Sequence, residues 1–173
     1  MKAISALITV AVAIALQMLL ARYAVGGRWT FDLVLVGVLY AALQSGPTAG
    51  ILAGTVGGLA QDALSGGTIG VDGLAKTIVG FAAGIVGGQF VVNKTGPRLV
   101  LTAGATVVHR SLLWCLQALI DQRWSGVSWF AMLSEIVLNS LAAFLAFQMI
   151  ETLPGAMARR RSGRRSGLAR RDW

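Results

Sequence analysis

The sequence predicts an all-α integral membrane protein: a bundle of about six transmembrane helices followed by a basic tail. Three observations predict it. Of 173 residues, 55% are hydrophobic and only 13% charged, with a mean hydropathy of +0.71. A soluble domain carries about 25% charged residues. The apolar residues come in runs of about 20, the length that spans bilayer hydrocarbon, and show neither one-sided helical nor alternating spacing. The 15 Lys and Arg against seven Asp and Glu collect at run ends and in the C-terminal segment. A buried helix in a large soluble protein would need a polar shell that this composition does not supply.

Taken in order, the spans fall at residues 3–21, 31–44, 48–64, 71–92, 99–120 and 127–151, within a transmembrane domain of residues 1–154. The first follows Lys2, as a signal peptide's apolar stretch would. It is longer than the usual 7–15-residue apolar region, so it reads as a span. The second and third are short and joined by Gln44-Ser45-Gly46-Pro47, a tight turn. They form either two crossings or a re-entrant hairpin, and both return the chain to the side it left. Cys115, the one cysteine, lies inside the fifth span, which rules out an intramolecular disulfide and reads as a small packing residue.

Orientation follows from Lys and Arg near span ends. With the N-terminus in the cytoplasm, the inner segments hold Lys2, Lys94, Arg98 and seven arginines: Arg159, Arg160, Arg161, Arg164, Arg165, Arg170 and Arg171. The outer segments hold Arg22, Arg28 and Arg123, with Tyr23, Trp29, Trp124 and Trp129 suited to the headgroup layer. Both termini are therefore expected in the cytoplasm. Residues 155–173, rich in Arg, Ser and Gly, read as a disordered tail. It serves as a topology anchor, or contacts anionic lipid at about 1 kcal/mol per basic residue. Nucleic-acid binding is not expected, because arginines beside a bilayer have the simpler explanation.

Glycine marks helix packing. The third span carries Gly50, Gly54, Gly58 and then Asp62 at intervals of four; the fourth carries Lys76, Gly80, Gly84 and Gly88. This spacing puts each set on one helix face, where small residues allow close backbone approach. In an antiparallel hairpin the stripes would zip together and an Asp62–Lys76 ion pair would close the outer end. Alternatively, each stripe packs on a different neighbour. The segment Ser65-Gly66-Gly67-Thr68-Ile69-Gly70 lacks the Gly-Lys-Ser/Thr ending of a phosphate loop and reads as a turn.

Four further polar residues lie deep. His109 and Arg110 fall mid-way along the fifth span, and Glu135 and Asn139 share a face of the sixth. Arg110 and Glu135 both sit roughly 12–15 Å below the outer interface, so they are matched in depth for an ion pair. Intramembrane charges are functional candidates by default, with a structural pin between helices as the plainer role. His109 reads as a satisfied interior histidine in preference to a proton relay, since no carboxylate chain leads away from it. One His, one Cys and scattered carboxylates give no zinc-site spacing, and no nucleophile stands at an activating motif. No cofactor or metal and no enzymatic activity are expected.

Residues 31–90 resemble the MreD family, small multispanning membrane proteins of the bacterial rod-shape and cell-elongation machinery. The resemblance is carried by Asp32-Leu33-Val34-Leu35, by Gly54-x3-Gly58-x3-Asp62, by Leu64 to Gly70, and by Gly80-Phe81, about a third of the chain. Asn139 is a further match in the last span. The resemblance implies a non-enzymatic partner of MreC, a bitopic protein. It also implies regulation, through MreC, of the RodA and class B penicillin-binding protein synthase, with MreB filaments on the cytoplasmic side. The family also resembles the six-helix substrate-binding subunits of energy-coupling-factor vitamin transporters. A small-molecule uptake subunit is therefore the rival reading, with Ala11-x3-Ala15 as the matching small-residue spacing.

Overall fold

Six α-helices, and no strand among the described residues, make up the chain: α1 (Lys2–Ala21), α2 (Leu33–Ser45), α3 (Pro47–Ser65), α4 (Val71–Gln89), α5 (Thr95–Asp121) and α6 (Trp129–Leu168). The computed structural model describes residues 2–21, 31–66, 68–89, 95–121 and 129–168. Helices α4, α5 (from Gly96) and α6 (to Met149) are each long and apolar enough to cross a membrane unaided. Ala6–Leu20 and α2 are apolar but shorter. The result is the expected all-α membrane bundle.

At 13 residues, about 20 Å, α2 is the shortest helix and the centre of the bundle. Its residues face three apolar clusters. Val34, Val38 and Ala41 pack with Ala6 and Val10 of α1 and Ala49 and Ala53 of α3. Leu35, Leu39 and Ala42 meet Val79 and Ala83 of α4, with Leu101 and Leu112 of α5 alongside. Val36 meets Ala143 and Phe147 of α6. A helix enclosed on every side need not match the bilayer thickness, because its neighbours face the lipid for it.

Local chemistry fixes the helix ends. The Asp32 side chain accepts from Leu35 N at 3.0 Å and caps α2. Gly46, with φ of 89°, turns the chain between α2 and α3, and Pro47 opens α3 at a position where its missing N–H costs nothing. The third helix stops at Gly66, left-handed at φ 70°.

Helices α3 and α4 form one antiparallel hairpin whose contact pairs are Pro47–Gly84, Gly50–Gly80, Gly54–Lys76 and Gly58–Gly73. A Cβ added to Gly50, Gly54, Gly58, Gly80 or Gly84 would lie under 3.0 Å from backbone of the opposite helix. Main chain thus rests on main chain, and Thr55 and Thr77 add a hydroxyl bond of 2.8 Å across the seam. Gly73, which the expected stripe omitted, belongs to it. Gly88 does not: nothing lies within 4 Å of its would-be Cβ, because α3 begins at Pro47 and offers no further turn to meet.

Outside the hairpin, α5 and α6 are loosely enclosed. Val100, Val107 and Val108 of α5, and Leu133, Val137, Leu141 and Leu145 of α6, face outward. Cys115 is exposed as well, and so is not the packing residue its position suggested. The α6 backbone stays helical through Pro154 to Leu168, so the expected boundary between spanning domain and tail is not a helix end. The side chains of Arg159, Arg160, Arg161, Arg164 and Arg165 lie outside the described residues. So do Arg170 and Arg171, the flanking Arg22, Arg28, Lys94 and Arg123, and Tyr23, Trp29 and Trp124.

Candidate functional site

Helix direction brings the C-terminal ends of α1 and α3 and the N-terminal ends of α2 and α4 to one end of the bundle. There the deep polar residues of α5 and α6 join them, and the side chains build two connected features: a buried ion network and an open cavity above it.

Lys76, with no exposed surface, is the hub of the network. Its Nζ lies 2.6 Å from Asp32 Oδ2, bonds Asp72 Oδ2, and is 3.5 Å from His109 Nε2. His109 Nε2 in turn lies 2.8 Å from Asp72 Oδ1. From Asp32 the chain of bonds continues, since its backbone N–H donates to Asn139 Oδ1 at 2.7 Å and Asn139 Nδ2 donates to Thr106 Oγ1 at 3.3 Å. One lysine thereby joins α2, α4 and α5, with α6 attached through Asn139. A buried ammonium with fewer partners would be strongly disfavoured.

This arrangement corrects the Asp62–Lys76 pair expected from the sequence. In the hairpin register Lys76 lies beside Gly54, eight residues and about 12 Å along α3 from Asp62. Asp62 instead accepts from the backbone N–H groups of Gly70 at 2.8 Å and Gly73 at 3.2 Å. It thus caps α4 from the neighbouring helix, where unpaired donors and the positive end of the helix dipole favour a carboxylate. His109 is buried, as an interior histidine is, but the carboxylates not expected beside it are present: Asp72 meets its ring, and Lys76 links Asp72 to Asp32. Asp72 was missed, although Asp72-x3-Lys76 is the spacing at which an acid and a base meet on one helix face.

Asp32, Asp72 and His109 bring ligand-type atoms within 4.8 Å of one another, which the sequence spacing did not suggest. The Lys76 ammonium sits against all three, so the position a cation would take is already held by the protein's own charge.

Arg110 and Glu135 come together as expected, with Nε and Oε2 3.1 Å apart. Glu135 is buried, whereas the Arg110 side chain is 31% exposed. Their alignment does not make a hydrogen bond, and neither atom finds one among the described residues. They border an open cavity of about 300 Å³, lined also by Gln17, Gln61, Asp62, Asp72, His109 and Gln117.

The whole of residues 1–153 matches the family of rod shape-determining protein MreD. The chain belongs to the MreD family. No curated protein and no solved structure matches it. Membership makes this a rod shape-determining membrane protein of a non-catalytic, shape-determining family. The residues that carried the MreD resemblance have structural work in the bundle. Asp32 caps α2 and holds Lys76, Gly54 and Gly58 line the hairpin seam, Asp62 caps α4, and Asn139 ties α6 to α2.

Proposed function

We propose that this MreD-family protein is a non-catalytic scaffold of wall elongation in the bacterial inner membrane, with both termini in the cytoplasm. It binds an MreC-like bitopic protein and, through it, acts on the RodA and class B penicillin-binding protein pair. MreB filaments lie on the cytoplasmic side, and the arginines of residues 159–171 contact anionic lipid. Family membership supports the process. The observation that carries the scaffold reading is the packing asymmetry: the spans of α5 and α6 are much less buried in the bundle than that of α4 and leave long apolar faces uncovered.

Photo-crosslinking groups at Val137 and Leu141 on α6, and at Leu52 and Val56 on the outer face of α3, test it. Capture of the bitopic protein from α6 alone is expected, together with loss of rod shape on depletion. Equal capture from both faces, or rods that survive depletion, overturns the reading. Deleting residues 159–171 should weaken binding to anionic vesicles while leaving neutral ones unaffected.

The open polar cavity favours a second reading, a small-molecule uptake subunit. A co-purified ligand or ATPase module would support it over the scaffold.

A further inference from the structure

We infer that the open cavity is a binding site for one protonated amine or guanidinium group. The inference stands under either reading above. It begins with charge. Among the described side chains, Asp32, Asp62, Asp72 and Glu135 gather around Lys76 and Arg110, two more carboxylates than fixed cations. The N-termini of α2 and α4, against which Asp32 and Asp62 sit, each supply about +0.5 charge. With His109 counted as neutral, about one negative charge is left without a counterpart among the described side chains.

Open hydrogen-bonding atoms give the second, independent observation. Among the described residues, three buried acceptor-type atoms find no hydrogen bond: Gln61 Oε1, Glu135 Oε2 and His109 Nδ1. All three side chains line the cavity, and Glu135 and His109 are 4% and 1% exposed. His109 Nε2 already meets Asp72, so an Nε2-protonated ring offers its Nδ1 lone pair. Buried polar atoms left open in this way are costly unless something fills them. A donor-rich cation meets both needs.

Chemistry narrows the class. The carboxylates a metal ion would want are engaged, Asp62 by backbone N–H groups and Asp32 and Asp72 by Lys76. What remains is Glu135 Oε2, beside Arg110 but without a hydrogen bond, with one amide oxygen and one imidazole nitrogen, a set that suits N–H donors. A cavity of about 300 Å³ admits a side-chain-sized head group with some water, at the small end of ligand sites. Arg110 Nε, also without a hydrogen bond, offers a donor to a carbonyl carried beside the cation.

His109 is the only histidine in the chain, so its ring is a single reporter inside the cavity. The test uses full-length protein with isotope-labelled histidine in lipid nanodiscs, titrated with N-acetyl-arginine amide and separately with ethylammonium. N-acetyl-glutamine amide is the neutral control. We expect a saturable shift of the His109 Nδ1 resonance, half-complete on the order of 1 mM, which the neutral amide does not produce. Gln61→Leu, confirmed folded by its thermal melt, should weaken it about tenfold. Response to both cations identifies a free amine as sufficient; response only to the arginine derivative identifies a side chain presented by a partner. No shift, an equal shift with the neutral amide, a response to Mg²⁺ or Zn²⁺ alone, or a resonance that moves only with pH would each overturn the proposal.

Discussion

The α3–α4 hairpin and the α5–α6 pair solve the same problem in opposite ways. Lipid tails are as apolar as leucine, so helices in a bilayer gain little from merely hiding hydrophobic side chains. The hairpin gains by contact: glycines remove side chains from the seam, and backbone meets backbone from Pro47–Gly84 to Gly58–Gly73. The pair keeps its large side chains and turns many outward, and the polar groups Arg110, Glu135, Thr106 and Asn139 make its specific links. Close packing makes the hairpin seam a fixed frame, while the α5–α6 pair, less buried in the bundle, leaves more of its surface open.

The largest effect should come from the lysine that joins the two regions. Lys76→Met leaves Asp32 and Asp72 buried without their cation, a loss of about 3–5 kcal/mol visible as a collapsed thermal melt in nanodiscs. Survival of the melt would mean that the network does not hold the bundle. The next sharpens the comparison directly. Gly54→Val pushes atoms into the α4 backbone and should cost about 3 kcal/mol, whereas Gly104→Val on α5, with nothing within 4 Å, should stay within about 0.5 kcal/mol. Equal losses would erase the distinction. Asn139→Leu removes the bond to the Asp32 amide and should cost about 1–3 kcal/mol, with faster hydrogen exchange in the N-terminal turns of α2 and α6. Smallest is Gly88→Ala, an open position where the change should stabilise by about 0.5–1 kcal/mol. Destabilisation there would mean that the seam runs further than Gly84.

Much of the fold was legible because its signals are local. Apolar runs marked the helices, four-residue glycine spacing marked the seam, and matched depth brought Arg110 to Glu135. The errors were of register. Asp62 and Lys76 share an end of the hairpin, but the turn through Gly66 and Gly70 sets them about two helical turns apart. Asp32 stands just before an apolar run, which is an N-cap signal, and Asp72 stands one turn before Lys76. Only the crossing of α2 and α5 beside α4 brings them to His109, and no spacing along one chain segment encodes that convergence.

The spacing of Asp72 and Lys76 on one helix has a consequence for biogenesis. A lysine entering the membrane alone would resist insertion, but α4 carries its counter-charge one turn away and remains apolar enough to cross by itself. Its predecessor α3, diluted by four glycines, Gln61 and Asp62, is not among the self-sufficient spans. Only five residues, 66–70, separate the two helices. As the nascent chain emerges, α4 can draw α3 into the bilayer with it, the glycine seam closing as the pair leaves the translocation channel.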